Sequence, residues 1–316
     1  MKRIDRILAV IDPTAAAQPA LEKATLLARR FDATLELFIC DFDPALSGKP
    51  LAETDRMREL RDEFVAERME FLEERADELR SEGIATETHV HWDNPVYRGI
   101  LRRVEESCPD LVVKDTHYHS AIRRTLFTNT DWNLIRNCPV PLLLAKPTEW
   151  GETPHVVAAL DPEHLGDKPA SLDHDILEYA ELLARRLDGE VHAVHAFFPA
   201  ALLATMTSMA GMPLETGVSA REIVEAERER VGAVLASVVA AHGLPPERVR
   251  LEQGSAVEVL PRVVERLRAD LLVMGAISRS RLQELFVGST AERVLDHLGC
   301  DVLVVKPGDF AEMLPF

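Results

Sequence analysis

Cysteine is scarce in this chain and none of it is placed for chemistry: Cys40, Cys108, Cys138 and Cys300 stand far apart, with no CxxC pair. Disulfide frameworks and zinc ribbons need paired or closely spaced thiols, so neither is expected, and reduced thiols in a cytoplasmic setting are the simple reading. Long hydrophobic runs are missing too. The apolar stretch within MKRIDRILAVIDP is broken by Asp12 and Pro13, too early for a signal sequence or a spanning helix. Basic charge is in short supply: 36 Lys and Arg face 53 Asp and Glu, a net charge of −17 at pH 7. Such a surface repels phosphate backbones and anionic lipid, which argues against nucleic acid and membrane as partners. The GxSxG elbow, a Walker-type lysine loop and a carboxylate pair for Mg2+ are also lacking. His164-Leu165-Gly166-Asp167 falls short of the HxGH signature of nucleotidyl transfer, because its second imidazole is Asp167. No enzymatic activity is therefore expected beyond slow, incidental ATP hydrolysis.

What the sequence does have is an internal repeat. RILAVIDP (6–13) aligns with HVVAALDP (155–162), and LLARR occurs at both 26–30 and 182–186. DLVVKDTHYHSAIRRTLFTNT (110–130) lies over DLLVMGAISRSRLQELFVGST (270–290) without a gap, and LLLAKP (142–147) lies over VLVVKP (302–307) at the same offset. A unit of half the chain is too long for a solenoid repeat. With 316 residues and 47% apolar composition, each copy can bury its own core. The expected domains are residues 1–147 and 154–316, joined by the Pro- and Gly-interrupted segment PTEWGETP (147–154).

Within each half, short apolar runs alternate with helix-period segments, the pattern of a parallel sheet with crossover helices. Strands are predicted at 5–11, 33–40, 85–91, 110–114 and 140–145, and again at 154–160, 190–197, 248–252, 270–274 and 301–305. A long helix is predicted over 53–81, with an apolar stripe of Met57, Leu60, Phe64, Met69, Phe71, Leu72 and Leu79 and Gly83 as its C-cap. The fold class is α/β, two tandem doubly wound five-stranded parallel-sheet domains. Right-handed crossovers put the loops that follow the strands on one sheet edge, where ligands bind at the switch in strand order.

After the fourth strand of the second half, Met274, Gly275, Ala276, Ile277 and Ser278 lead through nine residues to Gly288, Ser289 and Thr290. Glycine admits close backbone approach to phosphate oxygens, and Gly288 and Ser289 near a helix start offer amides and a hydroxyl to an anion. The same residues also suit a plain turn and helix cap. Gly275, Ser278, Gly288 and Ser289 resemble the G-x2-G-x9-G-[S/T] loop of the ATP-binding members of the universal stress protein family, with Ser278 in place of the second glycine. The resemblance spans nearly the whole chain, is nearest to the tandem E type of that family, and implies the adenine nucleotide alpha hydrolase-like fold and ATP as the ligand. It further implies that Asp161, ending the first strand of the second half, contacts the nucleoside, and that Ala196 offers backbone to the base. Asp161 and its twin Asp12 each precede Pro, so a turn or cap role is equally open.

The first half departs at the same loop: Asp115 replaces Gly275, Tyr118 replaces Ser278, Thr128 replaces Gly288 and Asn129 replaces Ser289. Asp115 repels phosphate and Tyr118 obstructs, so no ATP site of this type is expected in residues 1–147. Two HxH pairs, His89 with His91 and His117 with His119, offer imidazoles to a metal such as zinc, with Asp115 as a nearby oxygen. Hydrogen-bonded or solvated structure is the competing role for all four. Residues 200–213, AALLATMTSMAGMP, are uncharged and Met-rich, suited to an adaptable apolar pocket or to a buried loop or dimer contact. Three functional classes follow: a stress-response nucleotide sensor, a carrier of an apolar phosphorylated metabolite, and a ligand-free scaffold. The resemblance also implies that the fifth strands pair across a twofold, making an internal pseudo-dimer, with a homodimer as a further option.

Overall fold

The structure, a computed structural model, describes residues 2–47, 55–119, 124–163, 171–199, 220–275, 293–295, 297–308 and 310. The chain divides into two compact units, Met1–Glu149 with Asp301–Phe316, and Trp150–Cys300. The first unit carries β1 (Arg6–Val10), α1 (Pro19–Phe31), β2 (Thr34–Asp41), α2 (Asp55–Ser81), β3 (Thr86–Trp92), α3 (Val96–Ser107) and β4 (Leu111–Asp115). A short ribbon of β5 (His117–His119) and β6 (Arg124–Leu126) follows, then α4 (Asn129–Asn137) and β7 (Leu142–Ala145). The second unit carries β8 (His155–Leu160), α5 (Ser171–Arg186), β9 (Glu190–Phe197), α6 (Ala220–Ala240), β10 (Val249–Gln253), α7 (Ala256–Leu267) and β11 (Leu271–Gly275). The strand β12 (Asp301–Val305) belongs to the first unit.

Parallel strands in the order β7-β4-β1-β2-β3 make the first unit's sheet, and β12 pairs antiparallel on β7, Leu303 opposite Leu143. The fifth strands of the two repeats are thus hydrogen-bonded partners. The second unit's parallel order is β10-β9-β8-β11. All ten predicted strands occur within a residue or two of their predicted bounds. The reason is compositional: β7 reads LLLA and β12 DVLVV, buried at every position, as strands covered on both faces by crossover helices must be.

Helix ends follow local rules. Past α2, Gly83 adopts φ 88°, and its N–H donates to the Arg80 carbonyl at 3.0 Å while Ile84 N–H donates to that of Leu79 at 3.0 Å. This is the left-handed cap the sequence predicts. The apolar stripe of α2 is buried only near its end, at Leu72, Ala76 and Leu79. Met57, Leu60, Phe64, Met69 and Phe71 are half-buried, and Phe64 meets Trp92 of edge strand β3 with ring centroids 5.3 Å apart. A lone edge strand offers less cover than a sheet interior, which is why the stripe runs on half-exposed. The β5–β6 ribbon is a correction: the sequence reading places His117 and His119 in a loop, but the segment pairs antiparallel with Tyr118 opposite Thr125.

Candidate functional site

In the second unit the chain steps from β8 to β9 to β10 in one direction and then places β11 on the other side of β8. Order reverses between β8 and β11, the switch point where open α/β sheets take ligands outside the carboxyl ends of their strands. Leu160 pairs with His195 and Ala159 with Met274. Asp161, Ala196, Met274 and Gly275 therefore come to one edge of three neighbouring strands. Ser278, Gly288, Ser289 and Thr290 lie outside the described residues, as do residues 200–213 and His164 to Asp167.

The turn after β8 is held from several sides. Asp161 N–H donates to Asp173 Oδ1 at 3.0 Å, and Asp173 is buried in the first turn of α5, where a carboxylate complements the helix dipole. His195, also buried, bonds the Leu160 carbonyl through Nδ1 at 2.9 Å and presents Nε2 at 3.8 Å to Glu163. Arg230 of α6 reaches the same carboxylate at 2.5 Å. Met274 is buried. A Cβ on Gly275 would meet Leu172 Cδ2 at 2.6 Å, so this glycine lets α5 sit close against the end of β11.

The first unit shows how the equivalent place is closed. Thr128 caps α4, its Oγ1 accepting from Asp131 N–H at 3.2 Å while Asp131 Oδ2 accepts from Thr128 N–H at 2.7 Å, a capping box. Lys114 Nζ reaches Asp131 Oδ1 at 2.9 Å, with Asp131 fully buried. Asp115 is itself buried. The helix N-terminus that would greet an anion is answered by the protein's own carboxylate. Asp12, twin of Asp161, forms a local turn, its Oδ1 accepting from Thr14 N–H at 2.8 Å and Thr14 Oγ1 at 2.6 Å.

The two HxH pairs do not stand on neighbouring strands of one sheet. β3, which carries His89 and His91, is not the neighbour of β4: β2 and β1 stand between, about 14 Å at ordinary strand spacing. His91 packs edge-on against Phe38, centroids 5.1 Å apart, with Nε2 3.6 Å from Glu106 Oε2. Among the described residues, His89 and His91 join no group of three metal-type donors. The side chains of His117 and His119 lie outside the described residues. Among the described residues, too, no helix is long and apolar enough to cross a membrane.

The family model described as "Universal stress protein family" matches residues 3–146 and again 155–306. Universal stress protein E of Escherichia coli strain K12 is 28% identical over 316 residues, covering 98% of this chain and 96% of its own length. The universal stress protein E homolog of Haemophilus influenzae is 24% identical over 314 residues, with 96% and 98% covered. A solved universal stress protein from Pseudomonas aeruginosa UCBPP-PA14 superposes with a TM-score of 0.73 at 26% identity, over 98% of this chain and 96% of that one. A functionally unknown protein from Pseudomonas aeruginosa PAO1 gives 0.70 at 26% identity, over 98% and 95%. Two successive matches, laid over two copies of one α/β unit, make the chain a tandem member of the universal stress protein family.

Proposed function

We propose that this protein is a cytoplasmic stress-response sensor, not an enzyme, which binds a nucleotide-type ligand, ATP first among those to test, at the second unit's switch point. One observation carries the reading: the two residues whose ion pair closes the first repeat's loop are not repeated in the second half of the sequence. At the constant offset between the repeats, Met274 stands for Lys114 and Ala291 for Asp131. The second repeat thus has no carboxylate at the position that answers the helix N-terminus in the first, and it carries Gly275, Gly288, Ser289 and Thr290. A phosphate group would supply the missing negative charge. Asp161 and Ala196, at the neighbouring strand ends, are the residues that a nucleoside beside that charge would meet. The antiparallel β7–β12 pair supports an internal pseudo-dimer as the working unit, with the degenerate first repeat as its partner half.

The test is calorimetric titration of ATP into the full chain and into a Gly288→Asp variant, which restores a carboxylate near the loop. Heat of binding in the wild type and its loss in the variant is the expected result. Absence of heat in both removes the nucleotide reading.

A further inference from the structure

At the opposite end of the same sheet, where β8 and β9 begin, three donors meet. His155 opens β8 directly across from Glu190, the first residue of β9, and His192 follows on the same face as Glu190. One ligand atom from each residue lies within 4.8 Å of the other two. The imidazole rings are tilted by 45° with centroids 5.8 Å apart.

His192 is only 8% exposed, and neither of its ring nitrogens has a hydrogen-bond partner. Nδ1 of His155 is likewise buried and unpartnered. Buried polar atoms are almost always satisfied, so unpartnered nitrogens on two neighbouring imidazole rings call for an occupant. The first repeat provides an internal reference. There Arg6 stands for His155 and Glu36 for His192 in the repeat alignment. Glu36, fully buried, is paired with Arg6 at 3.3 Å and with Arg103 of α3, while Arg6 also holds Glu87 at 2.7 Å. The second repeat has Val263 in the place of Arg103. One copy of the fold fills this position with an ion-pair network, and the other leaves imidazole nitrogens without partners beside a carboxylate.

We propose that His155, Glu190 and His192 form a binding site for a zinc-class divalent cation at the strand N-termini of the second unit, apart from the switch-point edge. Two imidazoles and a carboxylate suit zinc and its neighbours rather than Mg2+ or Ca2+, which prefer oxygen alone. With bonds of about 2.0–2.1 Å, tetrahedral ligand atoms stand about 3.4 Å apart, so side-chain rotations close the trio, and water takes the fourth position. The obstacle is charge. Arg248 Nη2 holds Glu190 Oε1 at 2.7 Å, and the Arg250 charge acts on His192. Asp270 is already engaged by the His155 backbone N–H at 2.8 Å, and Glu252 by Arg262 and Arg266. Arg248 is 34% exposed and can release Glu190 to the cation while keeping its own charge in water. It therefore acts as a competitor that sets the affinity.

The experiment titrates Zn2+ into chelator-stripped full-length protein against a fluorescent zinc indicator, for wild type and for the His155→Gln, Arg248→Gln and His89→Gln/His91→Gln variants. Thermal unfolding checks that each is folded. One zinc per chain is expected in wild type, weakened at least tenfold by His155→Gln, which is a half-buried and mild change. Arg248→Gln is expected to tighten binding several-fold, an effect opposite in sign to the loss of a structural ion pair. The His89→Gln/His91→Gln variant is expected to bind as wild type does, and Co2+ in place of zinc to give the intense visible bands of tetrahedral coordination. Absence of zinc binding in wild type, unchanged affinity in His155→Gln, or loss confined to the His89→Gln/His91→Gln variant would overturn the assignment.

Discussion

Lys114 Nζ lies 2.9 Å from Asp131 Oδ1, tying the end of β4 to the first turn of α4 across the segment where the second repeat carries Gly275 and Gly288. Removing Asp131 leaves Lys114 with the longer carboxylate contact to Asp115 Oδ1 at 3.9 Å, whereas removing both members takes the charges out together and leaves the lost cap and the loss of that longer contact. Asp131→Ala is expected to cost about 3 kcal/mol. The double variant Lys114→Met/Asp131→Ala, which installs the second repeat's residues, is expected to cost only about 1 kcal/mol. A double-mutant cycle by urea unfolding reads the coupling directly, and additive single costs would show that the two residues act independently.

Two glycines differ in what crowds them. A Cβ at Gly275 would face the tip of the Leu172 side chain at 2.6 Å, while one at Gly189 would stand 2.4 Å from the Pro154 carbonyl oxygen. A side chain can turn aside, but backbone has to move. Gly275→Ala is expected to destabilise by about 1 kcal/mol and Gly189→Ala by about 3 kcal/mol. Equal shifts in urea midpoint would contradict that reading of the packing.

Burial pushes Lys306 down to about 7, against a smaller upward pull from Cys138. Its Nζ lies 4.5 Å from the centre of the Phe310 ring and 3.5 Å from the Arg136 carbonyl oxygen. An unfolded lysine keeps its proton to about pH 10.4. Between about pH 7 and 10 the unfolded chain therefore binds a proton that the folded chain does not, and stability rises with pH. Below that window both states are protonated and the cost of the buried ammonium is borne in full. Lys306→Met should flatten the wild-type profile by up to about 1.4 kcal/mol per pH unit there. Parallel profiles for the two proteins in urea unfolding from pH 7 to 9.5 would refute it.

Most of the sheet is legible in the sequence because buried parallel strands are short, continuous apolar runs, and β4, β7, β11 and β12 are of that kind. The β5–β6 ribbon escapes because HYH and RTL carry no apolar alternation. The candidate metal trio escapes for another reason. His155 is separated from Glu190 and His192 by a whole helix, and only strand register brings them opposite one another. The nearest signal in the sequence is the change of Arg6 and Glu36 in one repeat to His155 and His192 in the other. Nearness in the chain is a poorer guide than register: β3, which carries His89 and His91, is kept from β4 by β1 and β2.

The pairing of β12 on β7 bears on how the chain is made. Asp301–Val305 comes after the whole of the second unit in the chain, yet it covers the edge of the first unit's sheet. During synthesis the LLLA edge of β7 stays bare while the ribosome completes the intervening unit, and a bare apolar edge is a template for wrong pairing. The first half to emerge is thus the last to be finished, and the nascent chain is most in need of a chaperone's shelter in that interval.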